Sequence, residues 1–297
     1  MMHSHHLAAE PTIVPRHGFF RYRHSRVQQL VLVAILLGLS VVPGVSQAVS
    51  PDSTDAREIM SAVERRDKGD RMISRMEMSI TDKINKDRLQ VLQYRSVKVP
   101  GANKQLMIFE SPADVRNTGL LTIDYDDGKK SDDQWLYLPN LHKSSRISGG
   151  GKAGSFMGTD LSYSDMTNKD PEQYDYKLLQ QSVDVAGETC WLIESRPRTA
   201  KEQQETGYVK SEIWVSKNKL IPVQSKAWIK EGEKLKFTQF RDIRQVDGLW
   251  VAHQIVVRTT KGADIQSTTV IKFLSLRYNQ PEVVPTDFVE ARLERGL

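Results

Sequence analysis

The chain has 297 residues, 39% of them apolar, one cysteine and a net charge of +5. A single cysteine excludes an internal disulfide framework, and no apolar run reaches the roughly 20 residues of a membrane-spanning helix. The excess positive charge is concentrated at the front of the chain, which removes the main electrostatic argument for nucleic-acid binding.

Arg16, Arg21, Arg23 and Arg26 precede an apolar run from Leu30 to Val42, and small residues follow up to Ser46-Gln47-Ala48. A basic start, a short apolar centre and a small-residue site have the form of a secretory signal peptide. Residues 1–48 are therefore expected to be a cleaved leader and residues 49–297 a single domain exported to the periplasm. An uncleaved anchor is the alternative form of the same pattern. Of the +5 net charge the leader holds +3, and it holds all the histidines except His142 and His253. What remains is nearly neutral.

The first element after the leader is a helix. Asp55 stands as N-cap with Glu58 three residues on, and Ile59, Met60 and Val63 share one face. Alternating segments follow: "RMISRMEMSIT", "RLQVLQYRSVKV", "KQLMIFES" and "GLLTIDY", then "TCWLIES", "SEIWVS", "PVQSKAWIK", "KLKFTQFRDI", "LWVAHQIVVRTT" and "IQSTTVIKFLSL". Period-two alternation rich in β-branched and aromatic residues predicts strands. Pro100-Gly101, Asp127-Gly128, Glu231-Gly232, Asp247-Gly248 and Lys261-Gly262 fit hairpin turns whose glycines take positive φ. Ten or eleven sequential strands predict an antiparallel meander curled into a barrel or half-barrel, with "PTDFVEARLERGL" as a closing short helix or frayed tail.

With few helices to cover it, such a sheet leaves room for a ligand. The candidate lining residues are Met72, Met76, Met78, Trp135, Tyr137, Trp214, Phe237 and Phe273. Methionine adapts to varied apolar shapes, although ordinary core packing is the simpler reading of any single one. Cys190, in an apolar strand, reads as a buried thiol.

The glycine-rich stretch "SGGGKAGSFMGTDLSYSDM" is not a phosphate loop: Lys152 precedes Gly154-Ser155, and no βαβ pattern surrounds it. No metal spacing and no G-x-S-x-G is present. The acids of "DYDDGKKSDD" are interleaved with Lys129-Lys130 and lack the closing glutamate of a calcium loop. No catalytic residue, metal or cofactor is assigned. Glycines 149–151, 154 and 158 supply conformational freedom, Phe156 and Met157 offer an apolar plug, and Asp160 and Asp165 are placed to cap a short turn.

The order W-x-Y-L-P, then Arg-Ile, a glycine-rich gap and S-F-M-G-[ST]-D-x-x-Y-x-D, spanning Trp135 to Asp165, resembles the LolA-like family of periplasmic outer-membrane lipoprotein-sorting proteins. The resemblance implies a mainly β fold, a half-open antiparallel barrel with a helical lid over an apolar cavity. It also implies a carrier of lipoprotein acyl chains or related lipids toward the outer membrane. Transient membrane contact and an association with RND-superfamily transporters come with it. It assigns Arg146, Ser155, Phe156, Met157, Gly158, Asp160 and Tyr163 to the lid or hinge. Two rivals stand beside the carrier: an adaptor docking on an RND-type transporter or outer-membrane assembly without carrying lipid, and an enzyme acting on lipid or cell wall. A dry, side-chain-filled interior would favour the adaptor, and converging polar groups deep in it the enzyme. N-terminal sequencing of exported protein is expected to begin near Val49; a membrane-bound form starting at Met1 would establish the anchor instead.

Overall fold

The structure is a computed structural model that describes residues 49–83, 87–230 and 233–296. The leader and the Glu231-Gly232 turn lie outside the described residues.

Helix α1 (Ala56–Arg65) starts where its cap predicts. The Asp55 side chain accepts from the amides of Arg57 and Glu58, a contact worth about 1 kcal/mol. Glu58 does not reach back to the cap amide, as a capping box would require; it accepts from the Ser53 hydroxyl at 2.7 Å. Ala56, Ile59, Met60 and Val63 are the buried stripe.

Thirteen strands follow. They are β1 (Arg71–Asp82), β2 (Arg88–Val99), β3 (Ala102–Ser111), β4 (Gly119–Tyr125), β5 (Asp133–Leu138) and β6 (Lys143–Ile147), then β7 (Tyr174–Val185), β8 (Glu188–Pro197), β9 (Tyr208–Ser216), β10 (Pro222–Ile229), β11 (Lys234–Val246), β12 (Leu249–Lys261) and β13 (Asp264–Tyr278). Helix α2 (Ala200–Thr206) joins β8 to β9, and α3 (Glu290–Arg295) closes the chain. The strands foreseen from alternation are all present; β5, β6 and β7 are additional.

All thirteen form one antiparallel sheet in the order β6-β5-β4-β3-β2-β1-β13-β12-β11-β10-β9-β8-β7. Neighbours in the sheet are neighbours in sequence except for β1 and β13, whose pairing joins two meanders. The sheet remains open rather than closing into a barrel, so β6 and β7 are its two edges. These edge strands are consecutive in the chain, and residues 148–173 must cross from one to the other.

Turn chemistry follows the sequence with one exception. Gly101, Gly248 and Gly262 have positive φ, as does Asp247. Gly128 does not; glycine is needed there because an added Cβ would lie 1.7 Å from the Asp170 carboxylate.

Register assigns the faces, because directly paired residues point to the same side. Met78 pairs with Ile271, Ile271 with Ile255, Leu92 with Met76 and Phe109 with Leu92. This inner face carries two clusters. One is Trp191, Ile193, Ile213 and Val215 under α1. The other is Met76, Met78, Leu92, Met107, Phe109, Leu120 and Ile271. On the outer face Val97, Leu106, Ile108, Leu121 and Tyr137 are covered by Val283, Phe288 and Leu293 of the C-terminal segment. Cys190 is buried and free. Among the described residues no helix is long and apolar enough to cross a membrane.

Candidate functional site

The second inner cluster is covered by a loop. Phe156, 1% exposed, sits among Met76, Met78, Leu92, Phe109 and Ile271, with Met157, Leu161, Tyr163 and Met166 packed around it. Its ring lies 5.9 Å from that of Phe109 and 5.7 Å from that of Tyr163, edge-on to the latter, within the range in which aromatic pairs attract.

Local hydrogen bonds shape the loop. Thr159 N–H donates to the Phe156 carbonyl (2.9 Å), and the two residues between, Met157 (φ +49°) and Gly158 (φ +73°), are both left-handed. Two positive φ values in a row define a primed turn, which glycine enters without strain and methionine does not. The Ser155 hydroxyl donates to the Thr159 carbonyl (2.7 Å), and Arg88 donates to the Gly158 carbonyl (3.0 Å).

Two carboxylates then fix this turn to the far half of the sheet. Asp160 is buried and accepts from three hydroxyls of the inner face: Thr259 at 2.5 Å, Thr269 at 2.7 Å, and Ser267. Its own amide donates to Thr269 Oγ1 at 2.9 Å. Asp165 caps the Tyr163–Met166 turn, accepting from the Ser162 amide at 2.8 Å, and binds Lys236 Nζ at 2.9 Å and the Tyr208 hydroxyl at 2.8 Å. Lys236 also donates to Tyr208 at 2.5 Å. Burial opposes ionisation of Asp165, but Lys236, the Ser162 amide and Lys169 outweigh it and hold the carboxyl down at about 2. On the near side, Gln134 donates to the Tyr163 carbonyl at 2.8 Å.

Beside the loop lies a cleft of about 430 Å³ between α1, the β4–β5 turn and α2. Its walls are polar, including Glu64, Asp124, Asp132, Lys152, Glu202 and Glu205, and none of the Met-face residues lines it. Burial and the nearby Asp132 push the Asp124 carboxyl up to about 7, against the hydrogen bonds it accepts from Asn168. Among the described residues no acid, His or Cys group could hold a metal ion.

The structure therefore divides the sequence-derived candidates. Met76, Met78 and Phe273 meet at the loop, and Met72 shares their face at the start of β1, opposite Tyr278. Trp135 and Tyr137 lie on the opposite, outer face, against the C-terminal segment. Trp214 and Phe237 also face outward, as the partners of Leu192 and of Lys226 and Arg258. Ser155, Phe156, Met157, Gly158, Asp160 and Tyr163 all belong to the loop. Arg146 does not: it is an exposed residue of edge strand β6, paired with Asp133. Asp165 caps as expected, whereas Asp160 binds sheet hydroxyls instead. The apolar hollow at this face is filled by Phe156, one of the two residues offered as a plug. Sequence reasoning missed Lys236, Tyr208, Thr259, Ser267 and Thr269. A signal did exist in hydroxyl residues at the inner phase of β12 and β13, where alternation calls for apolar ones.

Two outcomes follow from these carboxylates. Replacing Lys236 by Met strands a buried charge and is expected to cost about 3–5 kcal/mol in chemical denaturation; combined with Asp165→Asn, the loss should be smaller than the sum of the single losses. Asp165 contributes stability above its unfolded pKa of about 3.9 that is lost as pH falls toward 2, whereas Asp124, its pKa raised, contributes stability that is lost as pH rises through 7. Asp124→Asn should therefore gain on the wild type, in melting temperature, as pH rises from about 4 to about 7, the span between the unfolded and folded pKa values; parallel melting curves would show that Asp124 does not titrate there.

Comparison with known proteins places this geometry. A family model described as an uncharacterized protein matches residues 101–295. No curated protein matches. A domain named as an outer membrane lipoprotein-sorting protein, from Vibrio parahaemolyticus, is 28% identical, with a TM-score of 0.72 over 81% of this chain and 98% of its own. A DUF1329 family protein from Desulfovibrio piger is 29% identical, with a TM-score of 0.73 over 82% of this chain and all of its own. A LolA superfamily protein from Nitrosomonas europaea shares the fold at 16% identity and a TM-score of 0.60, over 80% of this chain and 98% of its own. The chain belongs to the family matched over residues 101–295, and its fold is that of the LolA-like outer-membrane lipoprotein-sorting proteins.

Proposed function

We propose that the protein is a periplasmic carrier that shelters acyl chains of a lipoprotein or related lipid on the inner face of its sheet, where Phe156 now lies. One observation carries this reading: the apolar patch of Met76, Met78, Phe109 and Ile271 is covered by a loop held through side-chain hydrogen bonds to another part of the sheet. Such a cover can leave without unfolding the sheet beneath it. An acyl chain gains about 0.8 kcal/mol per methylene buried, so it can replace the contacts the loop gives up. The lipoprotein-sorting name of the Vibrio neighbour supports the same class of cargo.

No catalytic step is assigned. None of the neighbours named above is named for a transporter, so the RND link rests on the sequence resemblance alone. The filled inner face also suits the adaptor reading, and the test separates the two. Lipids extracted from protein purified out of membrane-containing cells are analysed by mass spectrometry, and binding of a fluorescent fatty acid is measured for wild type, Asp160→Ala and the milder Thr269→Val. The carrier predicts co-purifying lipid and tighter fatty-acid binding once the loop loses an anchor. Folded variants that bind no fatty acid, with no lipid in the wild type, would leave the adaptor.

A further inference from the structure

The outer face of β10–β13 is not covered by any of the three helices. α1 and α2 pack on the inner side and along β7–β9, and α3 packs against β4–β6. At the hairpin end of this uncovered face register brings together Lys226 and Trp228 of β10, Phe237 of β11, Arg258 of β12 and Ile265 of β13, with Leu89 of β2 beyond β1. Leu89 is 52% and Ile265 47% exposed. Lys226 lies over Trp228 at 4.5 Å and over Phe237 at 5.9 Å. Among the described residues neither Lys226 nor Arg258 has an ion-pair partner. Of the acids on this face, Glu194 and Glu212 are bound by Lys210, Glu212 standing directly opposite Lys226 in the β9–β10 ladder, and Asp87 accepts from the Thr81 hydroxyl at 2.7 Å.

From this face we infer a docking surface for an anionic phospholipid bilayer. Lys226 and Arg258, without ion-pair partners among the described residues, meet the negative surface; tryptophan is amphipathic and favours the headgroup zone. The exposed leucine and isoleucine can enter the boundary beneath it. The arrangement spreads over several strands of one sheet face, which suits a broad flat partner better than a single acidic peptide. The inference deepens the carrier reading, since it specifies where such a carrier would meet a membrane. It is nevertheless read without cargo.

The test is co-sedimentation of the purified protein with vesicles of phosphatidylcholine, alone or mixed with phosphatidylglycerol. Binding is expected only to the anionic vesicles and should weaken as salt is raised. Lys226→Gln and Arg258→Gln should each lower it about fivefold, with melting temperatures unchanged because both side chains are at the surface. Leu89→Ser with Ile265→Ser should lower it further without altering its salt dependence. Equal binding to both vesicle types, no binding, or variants that bind like wild type would overturn the inference. So would concentration-dependent self-association in sedimentation velocity that the Leu89→Ser variant abolishes, which would assign the face to a second copy. Loss of fatty-acid binding with retained vesicle binding would count against the carrier alone.

Discussion

The fold turns on a topological constraint: the two edge strands of a thirteen-stranded sheet are consecutive in the chain. Laid flat at about 4.8 Å per strand, the sheet would be about 58 Å wide, and residues 148–173 would have to cross all of it. They spend many of those residues on compact 3₁₀ turns at Gly149–Ala153, Tyr163–Met166 and Pro171–Gln173, which advance only about 2 Å per residue, and the antiparallel Ser155–Ser162 bridge folds the residues between back on themselves. The sheet must therefore curl toward the connector, and the connector must lie on the inner face. Covering that face is thus a consequence of chain order, and Phe156 is the residue that fills the resulting hollow.

A connector held only by apolar contacts would have no fixed seat, because hydrophobic attraction is non-directional. Direction comes from Asp160 and Asp165. The first reaches three hydroxyls on β12 and β13, and the second reaches Lys236 and Tyr208 on β11 and β9. Both contacts lie beyond β1 from the Met face, so the loop bridges the two meanders at the place where β1 and β13 join them. Asp160, Thr269, Lys236 and Tyr208 are buried and Asp165, Thr259 and Ser267 half-buried, and each has a partner, as polar groups taken from water need to avoid a desolvation penalty.

How much of this was legible in the sequence depended on the range of the interaction. Asp55, Ile59, Met60 and Val63 announced α1, because a cap and a stripe are local. Strands with clean alternation were equally plain. β7 was not, since "YDYKLLQQSVDV" is an edge strand with mostly polar, exposed positions, whose apolar phase at Tyr174, Tyr176 and Leu178 stops halfway along it. Which face a strand's apolar phase occupies was also hidden. Trp135 and Tyr137 are as apolar as Met76 and Met78, yet they point the other way, and only cross-strand register reveals it. That register includes a bulge between Arg75 and Met76 that no spacing rule forecasts. The Lys236–Asp165 contact joins residues 71 positions apart; nothing near Lys236 marks it as different from Lys234, the other lysine of β11.

The division between apolar filling and polar anchoring also bears on how the loop could yield to a ligand. Phe156 and an acyl chain bury apolar area at the same rate, about 25 cal/mol per Å², so exchanging one for the other is close to neutral. What is not exchanged is the set of hydrogen bonds at Asp160 and the ion pair at Asp165, since an acyl chain offers neither donor nor acceptor. If the loop leaves, the three hydroxyls and Lys236 must find water, while Asp160 and Asp165 regain hydration outside. In the proposed carrier the balance between closed and open loop would therefore be set less by the methionines and phenylalanines that would touch cargo than by two carboxylates that would not. Variation at Asp160, Thr259, Ser267, Thr269 or Lys236 should tune occupancy of the inner face without altering its shape, whereas variation at Met76, Met78 or Phe109 should alter the shape and leave the anchoring in place.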